Sequence, residues 1–129
     1  MKIKSIDHLV LTVSDIAQTC RFYSQILGME EITFSNDRKA LKFGSQKINL
    51  HLKGHEYEPK ARQPTTGSAD ICLIVETSLH EVINLLKKYG IRIEDGPIER
   101  TGAQGPIISI YIRDPDGNLL ELSNIKGAT

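Results

Sequence analysis

An internal repeat is the feature that most constrains how this chain can fold. His8 lies within Ile-Asp-His-Leu-Val-Leu-Thr-Val and Asp70 lies 62 residues later, within Ala-Asp-Ile-Cys-Leu-Ile-Val. In each copy the apolar, β-branched run is followed by a helix-capping signal, a helical pattern and a glycine, Gly28 or Gly90. The chain is therefore predicted to use one small folding unit twice.

Length and charge narrow the class of protein. With 129 residues and 40% hydrophobic content, the chain can bury a core, and we predict one domain, 1–129, with module one at about 4–53 and module two at about 68–125. Sixteen basic residues balance sixteen acidic ones, which argues against a nucleic acid or an anionic membrane as partner. The sequence shows no signal peptide and no disulfide framework, so a cytoplasmic location is expected.

Turn and cap signals divide module one into elements. Ser14 is the expected N-cap of a helix whose apolar positions end at Leu27, and a strand precedes it at 6–13. Three strands are expected after Gly28, at about 29–35, 38–44 and 47–53. The stretch 54–67, rich in Gly, Pro, Glu and Lys, is predicted to be a loop or linker.

Module two has the same order of signals. A strand at 69–75 precedes a capping box formed by Ser78 and Glu81 and a helix that ends at Gly90. Strands are expected near 91–95, 106–113 and 118–124, the last two joined by an Asp-Pro-Asp-Gly turn. The predicted fold is α+β: two βαβββ modules form a curved, partly open mixed sheet, with the helices on its convex face.

Strand alternation brings metal-capable side chains to one face of the predicted sheet. The concave face is expected to carry His8, His51, Asp70 and Glu121, from the first and last strands of each module. Taken singly, each has a simpler interpretation, as a half-buried histidine or a solvent-facing carboxylate. Two imidazoles and two carboxylates together suit a divalent first-row metal, and the repeat favours that interpretation.

Other residues are candidates for binding a substrate. Thr12 and Cys72 are predicted to face the same cavity, and Arg100 could bind a carboxylate or a phosphate group. A small packed thiol is the simpler interpretation of Cys72, because no histidine base is evident beside it. His55 and His80 are expected in solvent, and the segment 102–105 is expected to form a turn or a mobile lid.

Three motifs carry a resemblance to a known superfamily. They are Ile-Asp-His-Leu-Val-Leu-Thr-Val-Ser-Asp, Arg-Phe-Tyr-Ser-Gln-Ile-Leu-Gly-Met and Tyr-Ile-Arg-Asp-Pro-Asp-Gly-Asn-Leu-Leu-Glu-Leu. Together they resemble the vicinal oxygen chelate superfamily, which includes glyoxalase I, fosfomycin- and bleomycin-resistance proteins and extradiol dioxygenases. The resemblance implies metal ligands at His8, His51, Asp70 and Glu121. His51 stands where glyoxalase I commonly has glutamate, and Asp70 where relatives commonly have histidine or glutamate.

The resemblance also implies a class of activity. We expect a metal-dependent lyase or isomerase similar to lactoylglutathione lyase, which uses Zn, Ni, Mn, Co or Fe and acts on a small oxygen-chelating molecule, with Glu121 as the catalytic base. An Fe(II) dioxygenase and a non-enzymatic drug- or metabolite-binding protein are the alternatives. Small relatives place their sites across a two-fold axis, so a homodimer is expected, with His8 and His51 of one subunit facing Asp70 and Glu121 of the other.

Overall fold

The computed structural model describes residues 1–127, which form two compact units. The first unit spans residues 1–67, and the second begins at Ser68. Each contains one four-stranded mixed sheet and one α-helix. Within the described part of the chain, neither helix has the length and apolar character needed to cross a membrane.

The first unit follows the predicted order of elements. Its strands are β1 (His8–Val13), β2 (Glu30–Phe34), β3 (Arg38–Phe43) and β4 (Gln46–Leu52), and its helix α1 (Ile16–Arg21) continues into a π-helical turn, Phe22–Ile26. The sheet order is β1-β4-β3-β2, with β1 parallel to β4 and the other pairs antiparallel.

The N-cap of α1 differs from the prediction. The cap is Asp15 and not Ser14, because the Asp15 carboxylate accepts a hydrogen bond of 2.8 Å from the backbone N–H of Gln18. A carboxylate at this position also interacts favourably with the positive end of the helix dipole. After the π-helical turn, Gly28 takes a φ of +73°, as expected for a residue that ends a helix.

The second unit repeats this architecture. It contains β5 (Asp70–Ile74), α2 (Leu79–Lys88), β6 (Asp95–Gly102), β7 (Gly105–Arg113) and β8 (Leu119–Ile125). The sheet order is β5-β8-β7-β6, with β5 parallel to β8. The Ser78 side chain accepts from the backbone N–H of Glu81 at 3.3 Å, which confirms the predicted cap of α2.

The prediction of an α+β fold with βαβββ modules is confirmed, but one strand lies elsewhere than predicted. The strand expected at 91–95 is β6, at Asp95–Gly102. β6 contains Gly96 and Pro97, and it is an edge strand with a register shift between Asp95 and Ile98. Proline is tolerated there because its missing N–H leaves no partner unpaired. Residues 102–105 form the tight turn between β6 and β7.

One face of each sheet packs against the helix of its unit and forms the core. The buried apolar residues of the first unit include Leu11, Val13, Cys20, Tyr23, Leu41, Ile48 and Leu50. Those of the second include Leu79, Val82, Leu86, Ile110, Ile112, Leu120 and Leu122. Burying each such side chain stabilises the fold by about 1.5–3 kcal/mol. We call the opposite face of each sheet, turned away from its helix, the open face.

Candidate functional site

His8 lies on the open face of the first unit, at the start of the edge strand β1. Its Nδ1 atom is 2.8 Å from Oδ2 of Asp7, an ion-pair and hydrogen-bond contact. Metal-binding histidines typically donate one ring N–H to a carboxylate in this way, which orients the ring and leaves the other nitrogen for the metal. Asp7 was not among the residues predicted from the sequence, although its position next to His8 indicates that the two side chains can interact.

The strand register separates His51 from His8. In the β1–β4 pair, His8 lies opposite Lys47 and His51 lies opposite Thr12. Four residues along a strand correspond to ~13 Å. The two histidines therefore share a face of the sheet but do not meet within this unit.

The register also defines which positions are equivalent in the two units. Glu121 lies opposite Cys72, two residues beyond Asp70 on β5. The matching position in the first unit is Asn49, which lies opposite Val10, two residues beyond His8. Asn49, rather than His51, is thus the structural counterpart of Glu121.

His51 is 4% exposed and has a cationic neighbour. Its Nε2 is 3.4 Å from Nη2 of Arg38, and its ring makes an edge contact with Tyr57, with the centroids 5.5 Å apart. Burial, and after it the charge of Arg38, lowers the pKa of His51, so the imidazole is neutral. Since Arg38 can only donate, Nε2 accepts and Nδ1 carries the proton.

Glu121 lies at the centre of a polar network on the open face of the second unit. Its Oε2 accepts a hydrogen bond of 2.6 Å from Oγ of Ser109, and Ser109 is 2.7 Å from the hydroxyl of Ser123. Ser123 in turn contacts the thiol of Cys72 at 3.4 Å. Both serines are completely buried, so these contacts hold the Glu121 carboxylate in a fixed orientation.

Asp70 and Glu121, the two predicted carboxylate ligands of the second unit, lie close to Cys72. Asp70 and Cys72 alternate along one face of β5, and Cys72 pairs in register with Glu121. Although Cys72 is exposed in part, partial desolvation raises the pKa of its thiol; the hydrogen bond with Ser123 lowers it, and the charges of Glu121 and Asp70 raise it further. Cys72 is therefore held as a thiol, which is a poor nucleophile.

Arg100 lies on the same open face as Glu121. Its Nε donates a hydrogen bond of 2.9 Å to the hydroxyl of Tyr111, and Tyr111 lies opposite Glu121 in the β7–β8 pair. This hydrogen bond raises the pKa of Arg100, and the charge of Glu121 contributes to the same shift. The structure thus brings together the predicted base and the predicted substrate-binding arginine, with Tyr111 between them.

Gly96 allows β6 to approach this network closely. It has a φ of +91°, and a Cβ atom there would lie 2.3 Å from the backbone oxygen of Ser109. No larger residue fits without displacing Ser109, which holds Glu121.

The donor types suit a divalent metal, although residues 1–127 hold no group of three or more His, Cys, Asp or Glu side chains gathered for one ion. His8 offers a nitrogen oriented by Asp7 in the first unit, and Asp70 and Glu121 offer two carboxylates on one face of the second unit. Imidazole nitrogen and carboxylate oxygen are both donor types that bind first-row metals.

Several residues of the site were missed in the sequence. Ser109 and Tyr111 lie on one face of β7, opposite Ser123 and Glu121, and the period-two pattern of β7 was the available signal. Arg38 and Tyr57 gave no such signal, because only the folded chain brings a strand arginine and a loop tyrosine together. His55 and His80 are exposed, as predicted.

Comparison with known proteins identifies the family. The model of the Glyoxalase/Bleomycin resistance protein/Dioxygenase superfamily matches residues 5–122, and the chain belongs to this superfamily. It is 59% identical over 123 residues to virulence protein STM3117 of Salmonella typhimurium (95% of this chain, 85% of that protein). It is 51% identical over 128 residues to glyoxalase domain-containing protein RDO1 of Mycosarcoma maydis (99% and 72%).

A solved structure supports the same conclusion. The crystal structure of the Salmonella typhimurium virulence protein superposes with a TM-score of 0.94 over 96% of this chain and 98% of that one. The two chains therefore share one fold as well as most of their sequence.

Proposed function

We propose that this protein is a metal-dependent enzyme of glyoxalase type, a lyase or isomerase that moves a proton between adjacent carbons of a small, oxygen-chelating substrate. The observation that carries this proposal is the environment of Glu121. One carboxylate oxygen is held by Ser109 at 2.6 Å, and Tyr111 and Arg100 lie on the same face. Superfamily membership supports the reaction class.

We assign the metal to His8, Asp70 and Glu121. The contact of His8 with Asp7 and the shared face of the two carboxylates support this set. A divalent metal bound there would supply Lewis-acid stabilisation of negative charge on the substrate oxygens. His51, the fourth residue predicted from the sequence, has its Nε2 turned to Arg38, and we assign it to substrate binding.

Glu121 is the proposed general base and then acid. Ser109 fixes one carboxylate oxygen, so the other can take a proton from one carbon and return it to its neighbour. Arg100 lies on the same face and is proposed to stabilise the negative charge of the substrate. Thr12 and Cys72 are proposed to contact the bound molecule, with Cys72 as a thiol.

We further propose a cytoplasmic homodimer in which His8 of one subunit joins Asp70 and Glu121 of the partner subunit. The edge strands β1 and β5 carry exposed apolar residues, Val10 and Ile74, which supports a covered position for these edges in an assembly. Both cysteines are free, as a reducing compartment favours.

Elemental analysis of the purified protein tests the proposed metal. We expect about one Zn, Ni, Mn, Co or Fe ion per chain, with sharp losses in His8→Ala and in Glu121→Gln. The matched controls, His80→Ala and Glu76→Gln, change exposed residues of the same types and should keep the metal. Equal metal content in His8→Ala and His80→Ala would overturn the assignment of His8.

The reaction class is tested with the hemithioacetal of methylglyoxal and glutathione. Thioester formation in deuterated water, followed by mass spectrometry, reports proton transfer at carbon, and Glu121→Gln should lower kcat by on the order of 10²-fold or more. An iron-containing protein that consumes oxygen instead would favour the dioxygenase alternative. A metal-free protein that binds small molecules without turnover would favour the sequestering alternative.

A further inference from the structure

Arg38 is a fixed cation on the open face of the first unit. Its guanidinium lies over the ring of Tyr57 at 4.1 Å and near the ring of Phe34 at 5.2 Å, measured to the ring centroids. Its Nη2 is 3.4 Å from Nε2 of His51. Two aromatic rings and an imidazole thus hold the guanidinium of Arg38 in one place, whereas an arginine side chain without such contacts would extend into solvent.

Within residues 1–127, this charge has no counter-ion. No carboxylate lies within 4.0 Å of the Arg38 guanidinium, and its Nε is buried without a hydrogen-bond acceptor. The nearby Lys60 is different, because it pairs with Glu56 at 3.8 Å and Glu58 at 3.3 Å. A half-buried cation without a carboxylate partner is costly, so an anion that arrives from outside the chain would be stabilised there.

A groove of about 400 Å³ lies beside His51, the neighbour of Arg38. It is lined by Val10, His51, Pro59, Lys60 and Ala61, so β1, β4 and the loop 54–67 form its walls. His51 lines the groove, and Arg38 lies behind it, with its Nη2 3.4 Å from Nε2 of His51. The groove therefore has apolar walls at Val10, Pro59 and Ala61 and polar ones at His51 and Lys60.

The open face has a second unsatisfied polar atom. Asn49 lies two residues before His51 on β4, is buried, and has no hydrogen-bond donor for its Oδ1. Buried polar atoms are rarely unpaired in a finished site. The two atoms differ in kind: Nε of Arg38 is a donor that a carboxylate can satisfy, whereas Oδ1 of Asn49 is an acceptor and requires a donor.

We propose that this groove binds the carboxylate end of a small organic acid. The carboxylate lies at the His51 end, within the field of Arg38, and the carbon chain contacts Val10, Pro59 and Ala61. Lys60 in the groove wall is already paired with Glu56 and Glu58, so Arg38 is the nearby cation without a carboxylate within 4.0 Å. One such cation suits a monoanion, whereas a phosphate dianion needs more donors. The inference deepens the proposed function by naming its substrate class, and it rests on that function for the identity of the open face as the substrate site.

Binding of simple probes to the purified protein tests this inference. The probes are propionate, its neutral isostere propionamide, and inorganic phosphate. Titrations are followed by the Nε–Hε signal of Arg38 and the ring signals of Tyr57 in nuclear magnetic resonance spectra. Propionate should shift both signals with saturation, propionamide should not, and phosphate should bind more weakly than propionate.

Variants separate the Arg38 site from general attraction of anions. Arg38→Gln removes the charge and should weaken propionate binding about tenfold, since a hydrogen bond to a charged group contributes about 1.5–3 kcal/mol. Arg21→Gln, the matched control, changes an exposed arginine on α1 and should bind as the parent does. Tyr57→Leu keeps the charge but removes the ring over it, and should weaken binding by a smaller factor.

The outcomes distinguish this inference from the proposed function. Equal responses to propionate and propionamide, tighter binding of phosphate, or unchanged propionate binding in Arg38→Gln would each overturn the carboxylate site. Metal content is measured on the same samples and should not change in Arg38→Gln. A protein that contains no metal but still binds propionate through Arg38 would refute the proposed function alone. A metal-loaded protein that does not bind propionate would refute the carboxylate site alone.

Discussion

Asn118 connects the turn after β7 to the start of β5, so its removal should destabilise the second unit markedly. The side chain is 2% exposed and uses both of its polar atoms. Its Nδ2 donates to Oδ2 of Asp114 at 2.8 Å, and its Oδ1 accepts from the backbone N–H of Ala69 at 2.9 Å. These bonds position the residues next to Asp70, at the start of β5, and next to Glu121, in β8.

The expected cost of Asn118→Ala follows from the two hydrogen bonds that it removes. The variant removes the acceptor of the half-buried Ala69 N–H and one hydrogen bond to the buried carboxylate of Asp114. Losing a hydrogen bond to a charged group costs about 1.5–3 kcal/mol and losing a neutral one about 0.5–1.5 kcal/mol, so we expect a loss of about 3 kcal/mol. For a chain of this size, that corresponds to a fall in Tm of roughly 10 °C.

Chemical and thermal denaturation followed by circular dichroism measure this loss, with hydrogen exchange to locate it in β5 and β8. Asn84→Ala is the matched control, because Asn84 is exposed on α2, and it should change stability by less than about 0.5 kcal/mol. Asn118→Asp keeps the acceptor for Ala69 but places two carboxylates together. It should be destabilised at pH 7 and recover partly at pH 4, where the carboxyl groups can share a proton. A loss below about 1 kcal/mol in Asn118→Ala would refute the reasoning.

Three further predictions concern the metal and the thiols. Asp70→Asn should lower metal affinity less than His8→Ala does, because an amide oxygen can still bind a metal, and competition with a chelator measures the order. Mixing His8→Ala chains with Glu121→Gln chains should restore about a quarter of the parental metal sites if dimers form at random and sites are shared between subunits; no recovery would place each site within one chain. Burial, and then Glu31, raises the pKa of Cys20 to about 11. Iodoacetamide at pH 8 should therefore label Cys72 first and Cys20 only after unfolding, and comparable native rates would contradict the burial argument.

Much of the fold was predictable because its signals are local. The alternation along β1 and β8 predicts which residues face the helix, and Leu11 and Leu122 are buried as that pattern requires. The capping box at Ser78 is equally local. The strand expected at 91–95 lies instead at Asp95–Gly102, because its pairing with β7 depends on residues distant in the sequence, which local signals do not contain.

The candidate site was less predictable, for a reason that concerns strand pairing. The alternation of residues along a strand determines the face on which a side chain lies, but it does not determine which residue of the neighbouring strand lies opposite. His8 and His51 satisfy the same alternation and still lie four residues apart in register. The stacking of Arg38 on Tyr57 depends in addition on how the loop 54–67 folds back over the sheet, which no periodicity describes.

The wall that the loop 54–67 contributes to the groove has an evolutionary consequence. The loop follows the last strand of the first unit and precedes the second, so the segment that joins the two units also lines the groove proposed to bind the organic acid. Insertions and substitutions in this loop would leave the strands of both sheets unchanged. The two copies could therefore diverge separately, one carrying the groove with Arg38 and the other the network around Glu121. Changes in the loop 54–67 could then alter which substrate binds without disturbing the residues proposed to carry out the chemistry.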